Sequence, residues 1–440
     1  MTRPRPLPMR AAFDAAAAGI RYPVEVLLLA GVAISMPMFE GAKNVCLVLY
    51  VVTWYANRLR PGVSWESLGG RWDGWDTLFT AVLLTAPLGA AFAGIHHREW
   101  TACLDTLRMT AVAWFLKRSG YGTVEWLRLH VTLQAAVVAA SLWALAALAF
   151  PHTYEGIQLN SVGHVNQSVI YVVVCFGALV GGIAAYCRTM RPWWRAAALA
   201  ALAVELAAIF AAGSRAGAAT AILGAVLFGL LWLRRSRAPI VWTAIAVGAF
   251  LLLITAFDTD MRRKQEFALD SPNPVLNERY PIWQQALVAW RAHPLFGVGG
   301  DNFGDITVER VTQWAAATGV RDDAATFLRS THAHSLYLNT LAEHGLLGMA
   351  ALIALCAAWA ASVARGLPGV AAPPIAWLVW SGAAGALVVT LALGAFNTTL
   401  HDEHGLLAMT MLGMWLGYTR RRTLAPERVV AEAETVLEPA

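Results

Sequence analysis

PIAWLVWSGAAGALVVTLALGAF, residues 374–396, has no charged side chain from one end to the other. About 20 mainly apolar residues are enough for a helix to cross the hydrocarbon core of a bilayer, so this stretch alone points to a membrane-spanning chain. The rest of the sequence agrees. Of 440 residues, 58% are hydrophobic and 14% charged, and the mean hydropathy is +0.53, well outside the range of ordinary soluble domains. The same criterion marks further spans near 23–39, 44–57, 76–95, 101–116, 129–150, 165–186, 194–212, 216–233, 239–257, 336–364 and 405–419. The expectation is an all-α integral membrane protein with about twelve transmembrane helices.

Arginine and lysine set the orientation, because short cytoplasmic loops collect them. With the N-terminus inside, most of the 33 basic residues fall inside. They form groups at Arg3 to Arg21, Arg58 to Arg71, Lys117 to Arg128, Arg188 to Arg195, Arg234 to Arg237, Arg365, and Arg420 to Arg428. The outer loops at 151–164 and 397–404 have none, and both termini are expected inside. The segment before the first span is basic and no clear small-x-small cleavage site comes after it, so that span is expected to stay as an anchor. A net charge of +5 does not argue for nucleic acid, since the arginines punctuate apolar runs instead of lining one face. The five cysteines lie in or beside apolar runs without CxxC spacing and read as packing residues.

The chain divides into three regions: spans one to nine over 1–257, a long outer loop over 258–335, and spans ten to twelve with a short tail over 336–440. Loops of this length are usually functional. Trp283, Trp290 and Trp314 on helix-like stretches such as PIWQQALVAWRAH suggest amphipathic helices against the membrane surface, or a lid. NPVLNERYP and HPLFGVGGDNFGD supply the turns. One short echo, EHGLLGM at 343–349 and EHGLLAM at 403–409, starts two helices from the same face.

Ionisable groups near membrane depth cost roughly 2.5–3.5 kcal/mol each on insertion scales and tend to mark function. Arg215 stands in AAGSRAGAAT at the outer face, where the charge bias does not put it. It is either an interfacial arginine snorkelling to headgroups or a phosphate clamp, for which a planar guanidinium is suited. Arg279, in NERYPIW, is a second anion-binding candidate or a solvated loop charge; Arg291 shares its loop and ranks lower, with Arg262, Arg263 and Arg329. His332 and His334, two apart, suit either metal ligation or general-base chemistry. No third and fourth ligand at familiar zinc spacing accompanies them, so no metal is expected. His401, Asp402, Glu403 and His404 share the outer face and either orient a base, hold an acceptor or form a solvated turn.

SRAG at the outer end of a span, RYPIW running into HPLFGVGGDNF, and HAHSLYLNTLAEHGLLG resemble, in that order, the O-antigen ligase (WaaL) family within the O-antigen ligase and polymerase superfamily. The resemblance covers roughly 210–350 by motif and the whole chain by topology. It implies a Gram-negative inner-membrane glycosyltransferase of GT-C type, working at the periplasmic face without cofactor or metal. The donor would be a glycan on undecaprenyl pyrophosphate, the acceptor a sugar hydroxyl of lipid A-core, and the anomeric centre would invert. By position it implies His334 as catalytic base, with Arg215 and Arg279 on the pyrophosphate. His332 and Arg291 are added as substrate-binding candidates. Ser335 stands where relatives often have Asn, a departure that bears on how the base is oriented.

An O-antigen polymerase, with a second lipid-linked glycan as acceptor, shares these features. A protein O-oligosaccharyltransferase resembles the family but commonly carries a further soluble portion. A secondary transporter of an anionic solute would show midplane breaks in several helices and an inverted repeat, and neither is legible.

Overall fold

The structure, a computed structural model, describes residues 22–59, 64–65, 68–148, 157–187, 189–232, 276–319 and 327–424. Among these, all regular structure is helical. The helices are α1 (Pro23–Ser35), α2 (Glu40–Arg58), α3 (Gly74–Ala91), α4 (Glu99–Lys117), α5 (Thr123–Ala147), α6 (Val165–Tyr186), α7 (Pro192–Ala211) and α8 (Arg215–Trp232). After them come α9 (Leu276–Ala292), α10 (Val308–Thr318), α11 (Leu336–Arg365), α12 (Pro374–Ala392) and α13 (Asp402–Leu424). Five of the described helices, α5, α6, α7, α11 and α12 with its 3₁₀ extension to Ala395, are long and apolar enough to cross a bilayer. Helix α1 and the apolar part of α8 are shorter. The ninth expected span, 239–257, and the start of the long loop lie outside the described residues.

Burial is inverted relative to a water-soluble bundle. Helices α6 and α12 form the centre, and small residues let them meet. Gly177 and Gly385 face each other so closely that a Cβ on either would stand 3.4 Å from the other's Cα, and Gly181 leaves no room for a Cβ beside Ser381. Such contacts replace hydrophobic burial as the packing force when the solvent is itself apolar. The outer helices instead expose large aliphatics, among them Val45, Val48 and Val52 on α2, Leu84 and Leu88 on α3, and Ile353 on α11. In water so much exposed apolar surface would drive association; against lipid it is what a spanning helix requires.

Successive helices alternate between two ends of the bundle. One end gathers charge in the connections: Arg118 and Lys117 reach Asp76 at 2.6 and 2.7 Å, Arg58 reaches Glu25 at 2.7 Å, and Arg420 joins Asp73. The other end brings together the starts of α2, α4, α6, α8, α11 and α13 with the ends of α3 and α12 and the loop helices. There Lys43 of α2 pairs with Glu403 of α13, both buried.

The loop helices, expected to lie against the membrane surface or to form a lid, pack on one another and on α11. Ile282, Ala286 and Ala289 of α9 pack with Val311 and Ala315 of α10 in a small core of their own, closed by Ile95, Val298, Phe303, Ala333 and Ala342. Their apolar faces are covered by one another and by α11, so the loop forms a folded cap.

Candidate functional site

The cap is anchored by a break in α11. Gly345 leaves the helix at φ 60°, ψ −157°, a conformation that essentially only glycine adopts. The two helical hydrogen bonds around it, Leu346 to Ala342 and Leu347 to Glu343, are thereby opened, and all four groups find partners in the segment 294–299. Val298 and Gly299 N–H donate to the carbonyls of Ala342 and Glu343 at 2.8 and 2.9 Å, and Leu346 and Leu347 N–H donate to those of Pro294 and Leu295 at 2.9 and 3.1 Å. Leaving such groups unpaired and buried costs about 1–3 kcal/mol each, so motif and break require each other. On its far edge the same segment accepts from Gly94 and Ile95, both at 3.0 Å. At Gly297 a Cβ would lie 2.3 Å from the Glu343 carbonyl carbon. HPLFGVGG makes the turn that the sequence suggested at 294–296, closed by Gly297 N–H donating to His293 O at 2.9 Å, and then runs on as a strand-like insert.

Two buried polar side chains hold the segments on either side of this insert. The Asn302 carbonyl oxygen accepts from Arg98 N–H at 2.9 Å, and its amide donates to Ile95 O at 2.7 Å and to Glu99 Oε2 at 3.2 Å. Glu343 accepts from Phe303 N–H at 3.2 Å and from Asn339 Nδ2 at 2.8 Å, and Asn339 Oδ1 accepts from Ala333 N–H at 2.9 Å. The turn that carries both candidate histidines is thus tied to α11 from below. Ser335 caps the helix, its hydroxyl accepting from Leu338 N–H at 3.5 Å, and Leu336 N–H donates to Asn397 O at 3.0 Å.

His334 sits in this turn at φ 47°. Asp301 (φ 59°) and Asp402 (φ 42°) are the other non-glycine residues with positive φ among those described. Histidine and aspartate tolerate the left-handed region better than most residues, yet each such position costs on the order of 1–3 kcal/mol. That all three gather at one end of the bundle is what a site held in shape by its surroundings produces. Burial, then the positive charge of Arg279, then His164, push the His334 pKa below its ordinary value. The imidazole is accordingly neutral near pH 7 and free to accept a proton. Arg279, in the first turn of α9, donates through Nη1 to the Phe396 carbonyl, with its guanidinium 5.9 Å from the Phe396 ring.

Arg215 is the first residue of α8, exposed, at the same end. Phe228 lies edge-on to Trp380 at 6.0 Å and packs by Gly385, while Gly217 abuts Val169. This antiparallel pairing brings the start of α8 to the 3₁₀ turn Leu393–Ala395, which α8 touches and which directly precedes Phe396. Arg291 stands apart: it is exposed in the last turn of α9, twelve residues or about 18 Å along the helix from Arg279. The structure does not gather it with the others.

His332 and His334, both candidate metal ligands by sequence, part company. His332 lines a polar cavity of about 670 Å³ with Arg98, Asp301, Arg329, His401 and Asp402, and His334 does not. Among the described residues no three His, Cys, Asp or Glu side chains are grouped to hold a metal ion. The His332 ring stands edge-on to His401 with centroids 4.8 Å apart. Burial, then the charge of His401, lower His332 to about 4. Burial opposes the charge on His401 too, but Asp402, whose Oδ2 is 2.7 Å from its Nδ1, together with Glu343 and Asp301, outweighs it and raises its pKa. The proton of this pair therefore belongs to His401.

Glu343 stands out in the sequence, as an ionisable group inside an apolar span, whereas Asn302, Asn339, Arg98 and Asp301 do not stand out as site residues. For these the one available signal is a cluster of polar residues inside the glycine-rich GGDNFGD.

Residues 198–353 match the Wzy_C family model, described as O-antigen ligase. The match takes in Arg215, Arg279, the strand-like insert, His332 and His334, and ends beyond the Gly345 break. No curated protein matches the chain. About a third of the chain is thus similar to the O-antigen ligase family, within a helical membrane protein.

Proposed function

We propose that the protein is an O-antigen ligase of the GT-C type with twelve spans, which moves a preassembled glycan from undecaprenyl pyrophosphate to a sugar hydroxyl of lipid A-core. The observation that carries the reading is the placement of Arg279 and Arg215 at the end of the bundle where His334 is held neutral. In this scheme the acceptor oxygen attacks the anomeric carbon from the face opposite the pyrophosphate. The hydroxyl proton passes to His334, the C–O bond to the pyrophosphate breaks, and configuration inverts. Two guanidinium groups meet the charge that grows on the departing diphosphate and supply fixed electrostatic stabilisation.

The alternation of the described helix ends supports a reading with twelve crossings, one of them over 239–257, outside the described residues. The positive-inside tendency favours reading the basic end of the bundle as cytoplasmic, and in this reading Arg215, Arg279 and His334 work on the periplasmic side, with both termini in the cytoplasm.

Purified protein in liposomes, supplied with undecaprenyl-pyrophosphate glycan and lipid A-core, is expected to yield glycan-capped lipid A-core. Chain extension of a second undecaprenyl-linked glycan, with lipid A-core untouched, would make it a polymerase. Failure to transfer to any acceptor would reject the transferase reading.

A further inference from the structure

Across the turn 330–335 from Arg279 lies the cavity to which the proposed transfer gives no task. Its two arginines are not neutralised by close pairing. Arg98 approaches Asp301 at 3.8 Å with its side chain 59% exposed, and Arg329, exposed at the rim, makes no ion pair among the described residues. Asp402 is engaged by His401, and Asp305 by His97 at 2.8 Å. Guanidinium forks beside carboxylates and the Ser330 and Thr331 hydroxyls suit a sugar that carries an anionic substituent: the forks bind phosphate or carboxylate, and the acidic oxygens accept from sugar hydroxyls.

The two chain segments that wall this cavity also frame an apolar groove. Leu400, beside His401, and Leu336, just after the turn, line it, and it continues along α11 past His344 and Gly348 to Leu355, facing α3, α4 and α13. From His344 to Leu355 the groove runs along about 16 Å of helix at 1.5 Å per residue. Exposed Leu84 and Leu88 on α3 and Ile353 on α11 belong to the lipid-facing surface. The charged chamber and the apolar groove are bordered by adjacent residues, His401 at the one and Leu400 at the other, an arrangement that fits an amphiphile.

We propose that this compartment binds the acceptor as an amphiphilic glycolipid, with Arg98 and Arg329 on an anionic substituent of its sugar head and a lipid chain in the groove between α3, α4, α11 and α13. The word acceptor rests on the transferase reading; the binding itself does not. His334 stands two residues from His332 in the same turn, at most roughly 7 Å of chain. A hydroxyl presented from this side is near the base, while Arg279 is left to the donor.

The test is binding to the full-length protein in nanodiscs, with phosphorylated lipid A-core, its enzymatically dephosphorylated form, phosphatidylglycerol and undecaprenyl pyrophosphate as separate probes. The double variant Arg98→Gln, Arg329→Gln should bind the phosphorylated glycolipid about tenfold or more weaker than wild type. Its preference over the dephosphorylated form should vanish, with undecaprenyl pyrophosphate binding unchanged. A second variant, Thr340→Trp, fills the groove and should weaken the intact glycolipid but not its delipidated sugar head. Unchanged glycolipid affinity in both variants would overturn the proposal. So would loss confined to undecaprenyl pyrophosphate, or phosphatidylglycerol competing as well as the glycolipid. If the binding pattern holds but no glycan is transferred, the site stands and the transferase reading falls.

Discussion

Replacing His334 by alanine should lower transfer about 10²- to 10⁴-fold, the range that a positioned general base contributes, with protein level and donor binding unaffected. The hydroxyl of a sugar is a poor nucleophile until its proton has somewhere to go. His334 is the imidazole that burial and Arg279 keep unprotonated beside the proposed leaving-group arginines. Alanine at φ 47° also adds backbone strain, so the informative companion is His334→Asn. Asparagine tolerates the left-handed region and cannot serve as a base. Equal losses in both variants, expressed in kcat and not in donor KM, assign the effect to proton transfer. Turnover within tenfold of wild type in the asparagine variant would remove His334 from the chemistry.

Gly345→Ala should uncouple the cap from the bundle. The added Cβ would stand 2.4 Å from the carbonyl carbon of Leu295, and the backbone conformation itself is one that L side chains avoid. Relief requires either a continuous α11, which discards four hydrogen bonds to 294–299, or displacement of the insert. Either route costs about 3 kcal/mol or more by the strain and overpacking ranges. The twenty residues of α11 after the break, 346–365, are still long enough to cross a bilayer, so membrane insertion should persist while limited proteolysis within 276–335 accelerates and transfer is lost. A variant with wild-type proteolysis and activity would show that the break is dispensable.

Part of the transmembrane fold was legible because a long apolar helix announces itself locally, as five of the described helices do. The apolar run at 165–186 is the helix Val165–Tyr186, and 374–396 is α12 with its 3₁₀ extension. The same local signal concealed the break in α11, since a single glycine inside an apolar run looks like packing until its partner strand is known. The echo of EHGLLGM in EHGLLAM illustrates this. Gly345 is broken out of the helix, whereas Gly405 is not among the positive-φ glycines and packs by Met109. Glu343 holds the insert, and Glu403 pairs with Lys43. Identical letters perform different tasks because the neighbours come from distant segments.

Of the residues read as a site, Arg279 and His334 are distinctive in sequence because charge near an apolar helix is costly. Asn302 is not distinctive, because its task is to pair with backbone groups elsewhere in the chain, 207 positions away for Ile95, which no local pattern records. That His332 lines the polar cavity and His334 does not was equally hidden: alternation along an extended segment would have put both rings on one side, and His334 takes a left-handed φ of 47° instead.

The most direct test of the central claim, that a neutral His334 under the field of Arg279 takes the acceptor proton, is the pH dependence of kcat/KM in wild type and in Arg279→Gln. This quantity reports the free enzyme. Because the neutral form is the active one and its pKa is depressed in the folded protein, activity should persist as pH falls below the ordinary histidine value of about 6.5 and decline only at lower pH. Removing the arginine charge should move that acid limb upward, toward the ordinary value. An acid limb at or above the ordinary value in wild type, or one that Arg279→Gln leaves in place, would contradict it.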